Sequence, residues 1–209
     1  MEYISLAFKS GGPFMYVILG TLIIGIAIIV ERFLFIGVKN RIDSTRFVNK
    51  VIELVQQKKI SSAVELCNQS QAALPAIAKA GLQEVGKSPR EIQGAFELAA
   101  MAEIPRLEKR THYLSMIANV ATLLGLLGTI IGLIQSFQAV AAADSSQKAA
   151  LLSAGISVAM NTTAFGLIVA IPSMVFHSYL QSKTNTIIDE INENVARIYQ
   201  HMIKVGAAR

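Results

Sequence analysis

The sequence predicts an all-α membrane protein with three transmembrane helices and a helical cytoplasmic loop domain. Of its 209 residues, 53% are apolar and only 16% are charged, whereas soluble domains carry about 25% charged residues. Three long stretches contain no charged side chain at all. Twenty of the 33 charged residues lie within 39–110, so one polar segment separates the first apolar stretch from the other two.

The first transmembrane helix is predicted at 13–36, after a short periplasmic segment at 1–12. Residues 10–30 carry no charge, and about 20 apolar residues suffice for a helix to cross the hydrocarbon core. No basic segment precedes this stretch and no small-residue cleavage site follows it, which argues against a cleaved signal peptide. Glu31 and Arg32 are expected to neutralise each other at the membrane boundary.

The second and third transmembrane helices are predicted at 111–141 and 150–180, with a periplasmic hairpin at 142–149 between them. The charge-free stretches here contain 33 and 34 residues. Each would form about 50 Å of helix at 1.5 Å per residue, which exceeds the roughly 30 Å hydrocarbon core. Both helices are therefore predicted to be long and to extend into the cytoplasm, and the third continues into a helical cytoplasmic tail at 181–209.

The distribution of Lys and Arg predicts the orientation of the chain. Segments 39–110 and 181–209 together carry 16 of these residues, whereas the N-terminal segment and the hairpin carry one each. Basic residues concentrate on the cytoplasmic side of membrane proteins. The N-terminus is therefore predicted to be periplasmic, and the large loop and the C-terminus cytoplasmic.

The cytoplasmic loop, 37–110, is predicted to be a bundle of short helices. Apolar residues recur at helical spacing near its start. Ser62 with Glu65 is expected to form a capping box before one short helix. Ser88-Pro89-Arg90-Glu91 is a stronger helix-start signal, with Ser at the N-cap, Pro at the first helical position and Glu at the third. Pro105 is expected to open or kink the helix that becomes the second span. The periodic apolar residues are Phe47, Val51, Leu54 and Val55.

Several function classes are excluded by what the sequence lacks. A single cysteine, Cys67, rules out an intramolecular disulfide and a cysteine-based metal site. No Gly-rich phosphate loop, HExxH or GxSxG motif occurs, so no enzyme, metal or cofactor is predicted. The net charge of +5 is sorted by position rather than gathered into a basic stripe, which argues against nucleic-acid binding.

Polar and small residues in the second span follow two regular patterns. Four hydroxyl residues are spaced by seven, which places them in one stripe along a helix: Ser115, Thr122, Thr129 and Ser136. A second face carries small residues that permit close helix approach: Ala121, Gly125, Gly128 and Gly132.

The third span repeats this arrangement. Gly155, Ala159 and Thr163 form one small face, with Gly166 as a further packing position. A polar line lies beside it: Ser153, Ser157 and Asn161. Pro172 is expected to bend the helix towards its inner end.

A lone threonine in a membrane helix usually bonds the carbonyl four residues earlier, and a lone glycine pair often only packs. Four hydroxyls in register favour an interior or wet cavity instead, because a hydroxyl stripe facing lipid would be wasted. Neither long stretch contains Asp, Glu, Lys or Arg. Hydroxyls cannot store a proton, so a proton path here would need a carboxylate from another chain.

The ExbB/TolQ/MotA proton-channel family has a second-span signature that resembles residues 124–137, LGLLGTIIGLIQSF. Its third-span signature is similar to residues 156–172, ISVAMNTTAFGLIVAIP, and its first span to 11–16 and 30–33. The resemblance covers essentially the whole chain and is most specific over 106–179. The three-span layout is closer to the ExbB/TolQ branch than to the flagellar stator, whose subunits have four spans.

The resemblance implies a homopentamer in the bacterial inner membrane that encloses two copies of a single-span, ExbD- or TolR-like partner. The partner's membrane Asp would carry the proton, and proton flow would drive transport, envelope maintenance or gliding. The family's pore threonines correspond to Thr129 and Thr163, and Thr122, Ser157 and Asn161 complete the predicted path. Many relatives have a Glu where this sequence has Val158, so that pore acid is missing here.

Two other functions are considered beside the proton-conducting motor. In a non-conducting scaffold the polar stripes would only join helices. A solute permease is disfavoured, because the chain has neither broken half-helices nor inverted repeats. Sodium stays an alternative to the proton, since hydroxyls and backbone carbonyls can supply oxygen ligands.

Overall fold

The computed structural model describes residues 12–40 and 42–207, and within this part of the chain the secondary structure is helical. The predicted periplasmic segment therefore lies outside the described residues except for Gly12. In chain order the α-helices are α1 Pro13–Leu34, α2 Ser44–Gln56, α3 Ile60–Asn68, α4 Ala73–Gln83, α5 Pro89–Glu108, α6 Thr111–Ala141 and α7 Lys148–Ala207. A π-helical turn, Phe35–Lys39, directly follows α1.

Three helical segments are long and apolar enough to cross a membrane: Pro13–Gly37, Pro89–Ala141 and Lys148–Val205. The predicted all-α class with three membrane-spanning helices is therefore confirmed. One uninterrupted helix of 60 residues, α7, contains the predicted third span and the described part of the predicted tail. The exact membrane boundaries, and the side on which each segment lies, stay predictions.

The chain divides into two compact units. We call the first the span unit; it comprises the residues up to Val30 together with Arg110–Tyr179. We call the second the loop unit; it comprises Glu31–Lys109 together with the residues from Leu180 onward. Helices α1 and α7 thus contribute residues to both.

Branched aliphatic side chains form the core of the loop unit. Helix α4 packs against α3 and α5, and the end of α7 adds Ile198 and Met202 to the same apolar cluster. The ring of Phe96 meets Tyr199 edge-on, and the Tyr199 hydroxyl donates to the Pro89 carbonyl at 3.3 Å. The large side chains that are fully buried in this core include Val48, Val51, Val55, Ile77 and Leu82.

The helix start predicted at Ser88 is confirmed, and Ser88 forms a capping box with Glu91 there. The Ser88 hydroxyl accepts a hydrogen bond from the Glu91 amide at 3.3 Å, and the Glu91 carboxylate accepts from the Ser88 amide at 3.0 Å. The prediction of a capping box at Ser62 was wrong. Helix α3 begins at Ile60, with Lys59 at its N-cap, and no side chain caps it. A capping box requires an extended N-cap backbone, and Ser62 already lies inside the helix.

The helix break before the second span also differs from expectation. Pro105 lies inside α5, which continues to Glu108, and the break falls at Lys109 and Arg110. Arg110 adopts a left-handed backbone with φ of 69°, a conformation that cannot continue a right-handed helix.

A buried arginine closes the end of α5. The Arg32 guanidinium donates to the Lys109 carbonyl at 2.7 Å and lies within 3.5 Å of the Leu107 carbonyl oxygen. It also forms a salt bridge to Glu31 at 2.7 Å and lies over the Phe35 ring. The last carbonyls of a helix lack partners within it, and a cation there is favoured by the helix dipole. Arg32 therefore does more than neutralise Glu31.

Candidate functional site

Helices α6 and α7 approach each other almost to backbone contact. A Cβ added to Gly125 would lie 3.2 Å from the Thr163 Cα, and one added to Gly166 would lie 2.7 Å from the Ala121 carbonyl oxygen. Backbone atoms cannot move aside as flexible side chains can. Gly166 therefore admits no Cβ at this helix spacing, and a Cβ on Gly125 would require the helices to shift by a few tenths of an ångström.

The other predicted packing glycines lie along the same contact. A Cβ on Gly132 would lie 3.3 Å from the Ala159 Cβ. Gly128 faces the side chain of Thr162, and Gly155 faces that of Ser136. Each glycine of one helix thus receives a small or hydroxyl-bearing residue of the other.

Thr129 and Thr163 meet at the centre of this contact, where their hydroxyls are hydrogen-bonded to each other. The Thr163 hydroxyl can also donate to the Gly125 carbonyl at 3.0 Å. The Thr129 hydroxyl lies 3.2 Å from that same carbonyl and 3.3 Å from the Ala159 carbonyl. A hydroxyl has one proton and two lone pairs, so these bonds are alternatives between which the pair can switch.

The close helix approach is what brings these groups together. Because Gly125 has no side chain, its carbonyl is reached by hydroxyls from both helices. Four oxygen atoms therefore cluster where α6 and α7 cross: two hydroxyls and two backbone carbonyls. Both threonine side chains are partly exposed rather than fully buried.

This oxygen cluster can accept, donate and reorient hydrogen bonds, but it cannot hold a proton as a carboxylate can. Within the described residues no group of three or more His, Cys, Asp or Glu side chains is placed to hold a metal ion.

The remaining predicted path residues are not part of the cluster. Thr122 is exposed and its hydroxyl donates to the Ala118 carbonyl at 3.0 Å, within its own helix. Ser157 is exposed and Asn161 is partly buried. Pro172 lies inside α7, which continues on both sides of it. Of the five predicted path residues, the structure brings together Thr129 and Thr163.

Two further hydroxyl residues belong to the helix contact. Thr162 is 1% exposed, packs on Gly128 and donates to the Val158 carbonyl at 2.9 Å. Ser136, the last member of the predicted stripe, is buried against Gly155. The sequence contained a signal for Thr162: with Gly155, Ala159 and Gly166 it completes spacings of four, three and four, which mark a single packing face.

Comparisons with known proteins agree with this architecture. The sequence model of the MotA/TolQ/ExbB proton channel family matches residues 69–193. An ExbB-like biopolymer transport protein of Synechocystis sp. is 31% identical over 174 residues, which cover 83% of this chain and 82% of that protein. The Tol-Pal system protein TolQ of Haemophilus influenzae is 34% identical over 93 residues, covering 44% of this chain and 40% of TolQ.

A solved structure shares the fold. A chain of the MotAB structure from C. jejuni superposes with a TM-score of 0.63, covering 97% of this chain and 81% of that one. The identity between the two chains is 16%, so this likeness concerns the fold alone.

Proposed function

Because this chain belongs to the MotA/TolQ/ExbB proton channel family, we propose that it is the multi-span subunit of a proton-driven motor in the bacterial inner membrane. One observation carries the proposal: Thr129 and Thr163 form a hydroxyl pair between two long helices whose charge-free stretches contain no Asp, Glu, Lys or Arg. Its work would be transport across the envelope, envelope maintenance or gliding.

The absence of an acid in these stretches requires a second chain. Hydroxyls do not ionise near neutral pH, so a proton in transit needs a carboxylate to hold it. We propose that a single-span, ExbD- or TolR-like partner supplies this group as a membrane Asp. Five copies of this chain around two of the partner follow the stoichiometry that the family resemblance implies.

The threonine pair would then act as a relay beside that carboxylate. Either hydroxyl can accept a hydrogen bond from a protonated acid or from a water while it donates to a carbonyl behind it. The carbonyls of Gly125 and Ala159 offer such acceptors at 3.0–3.3 Å. Because these acceptors belong to the backbone, the pair keeps its place while protons exchange, as a preorganised site requires.

The experiment measures proton flux in liposomes that contain this chain together with its co-purified partner. The double variant Thr129→Val with Thr163→Val removes both hydroxyls and retains the approximate side-chain size. We expect proton flux per assembled complex to fall at least tenfold. The matched control is Thr21→Val, because the Thr21 hydroxyl donates within its own helix to the Ile18 carbonyl and its loss should leave flux unchanged.

The same measurement separates the alternatives. In a non-conducting scaffold the double variant would lose assembly, and the wild-type complex would carry no proton flux. A sodium channel would conduct only when Na⁺ is present, and the four clustered oxygens would be its ligands. Replacing Na⁺ by choline should leave the flux unchanged if the proton is the conducted ion.

A further inference from the structure

The loop unit contains a cavity of about 840 Å³, which the proton path does not use. It lies between the ends of α2, α3, α4 and α5 and the last turns of α7. Ligand sites are typically clefts of about 300–1,000 Å³ with apolar walls and a few polar groups, so its size is that of a small-molecule site. Its walls include Val55, Ile60, Val64, Leu82, Ile92 and Met202.

The charged groups of the cavity are all positive. Lys58 and Lys87 line it, and no Asp or Glu is among the described residues that do. Lys87 is paired with Glu84 outside the lining. Lys58 is exposed, and no described carboxylate forms a salt bridge with it. Of the two lysines in the lining, Lys58 is therefore the one without a described ion-pair partner.

Lys58, which lines this cavity, has a left-handed backbone conformation. Helix α2 ends in a motif in which the Lys58 amide donates to the Val55 carbonyl at 3.0 Å and the Lys59 amide donates to the Leu54 carbonyl at 2.9 Å. This motif places residue 58 in the left-handed region, with φ of 60°. Glycine is the usual residue there, because a Cβ makes that conformation costly. The chain thus carries a lysine at the cavity where glycine would fit with less strain.

We propose that this cavity binds a single-chain amphiphilic anion of the long-chain carboxylate class, with its carboxylate at Lys58 and its alkyl chain against the aliphatic wall. One lysine without a described ion-pair partner matches one anionic head group, and the apolar walls match an alkyl chain. The proposal is independent of the proton path, since Thr129 and Thr163 belong to the span unit and every lining residue belongs to the loop unit.

The test uses full-length protein in lipid nanodiscs, with dodecanoate as the probe and cysteine labelling as the readout. Ser61 lines the cavity and is exposed, so Ser61→Cys gives a thiol whose reaction with a maleimide a bound ligand should slow. The native Cys67 does not interfere, because burial raises the pKa of its thiol to about 11 and keeps it protonated. Labelling of Ser146→Cys, in the segment between α6 and α7, controls for effects of dodecanoate on the bilayer.

We expect dodecanoate to slow labelling of Ser61→Cys at least fivefold, and dodecylammonium to have no such effect. Lys58→Gln should raise the dodecanoate concentration that gives half-maximal protection at least tenfold, whereas Lys59→Gln, which removes the neighbouring charge outside the cavity lining, should not change it. Lys58→Gly should weaken protection equally and leave the melting temperature unchanged or higher, because it relieves the left-handed backbone.

Three results would overturn the proposal. These are no protection by dodecanoate, equal protection by dodecylammonium, or protection that survives Lys58→Gln. Should Ser61→Cys fail to fold, Gln83→Cys provides a second thiol in the same lining. Dodecanoate should also raise the melting temperature of the wild-type protein and not that of Lys58→Gln.

Discussion

The helices of the span unit and those of the loop unit pack in opposite ways. In the span unit, α6 and α7 meet where side chains are absent, with Gly125 against Thr163 and Gly166 against Ala121. In the loop unit, large aliphatic side chains such as Ile77 and Leu82 fill the space between helices. Burial of apolar side chains drives helix packing in water. Lipid is as apolar as leucine, so the same burial does not drive helices together in a membrane.

This difference explains where the candidate pore residues lie. Close backbone approach lets a hydroxyl on one helix reach a carbonyl on the other, and Thr163 does so with Gly125 at 3.0 Å. A core filled by leucine and isoleucine would keep the helices too far apart for that contact. The packing of the span unit and its proposed chemistry therefore depend on the same glycines.

The largest loss of stability is expected from removing a large side chain from the core of the loop unit. Leu82→Ala removes a fully buried side chain, and such substitutions cost about 2–5 kcal/mol. Hydrogen exchange should rise throughout residues 44–83 and change little in 115–136. Leu98→Ala is the matched control, since Leu98 is 71% exposed and its loss should cost about 0.5 kcal/mol or less. Equal effects of the two variants would contradict the assigned core.

A smaller loss of stability is expected in the span unit, and there it should come from adding a methyl group rather than from removing a side chain. In Gly166→Ala the new Cβ meets the Ala121 carbonyl, and overpacking typically costs about 1–3 kcal/mol. The Thr129–Thr163 contact should lengthen, so proton flux should fall together with the melting temperature.

Gly20→Ala provides the matched comparison for Gly166→Ala. Apart from its own helix, no described residue has an atom within 4 Å of the added Cβ, and alanine is a better helix former than glycine by about 1 kcal/mol. Gly20→Ala should therefore raise the melting temperature or leave it unchanged. A loss of stability equal to that of Gly166→Ala would show that the close contact is not what selects glycine.

The sequence predicted the span unit better than the loop unit, for a physical reason. Long charge-free stretches and glycine spacing are local signals, and they suffice to predict three spanning helices and a small-residue face. The role of Arg32 was missed, because its partner carbonyls at Leu107 and Lys109 lie about 75 residues along the chain. Backbone carbonyls belong to every residue, so no side-chain pattern marks them as partners.

Caps were predictable only where the backbone allowed them. Ser88 with Glu91 and Ser62 with Glu65 look alike as sequence, yet only Ser88 precedes its helix. Tertiary packing decides where α3 begins, since Ala63 and Cys67 must both face the core.

The hydroxyl stripe with a spacing of seven predicted Thr129 and Thr122 together. Of these two, only the Thr129 hydroxyl lies within hydrogen-bond distance of a carbonyl on α7, whereas Thr122 donates within its own helix. Spacing identifies a face but does not say which of its residues the neighbouring helix covers: α7 approaches Ala121 closely, yet the adjacent Thr122 is exposed.

The smallest effect is expected from Arg32→Lys, which keeps the charge and changes its shape. The planar guanidinium serves Glu31 and the end of α5 at the same time. A lysine ammonium is a point charge that cannot reproduce this fork. Loss of about one hydrogen bond to a buried carbonyl should cost about 1–2 kcal/mol. Hydrogen exchange should rise at residues 106–110, while the exchange of 44–83 stays close to that of the wild type. If Arg32→Lys were as damaging as Leu82→Ala, the end of α5 would belong to the cooperative core of the loop unit rather than to a locally held helix terminus.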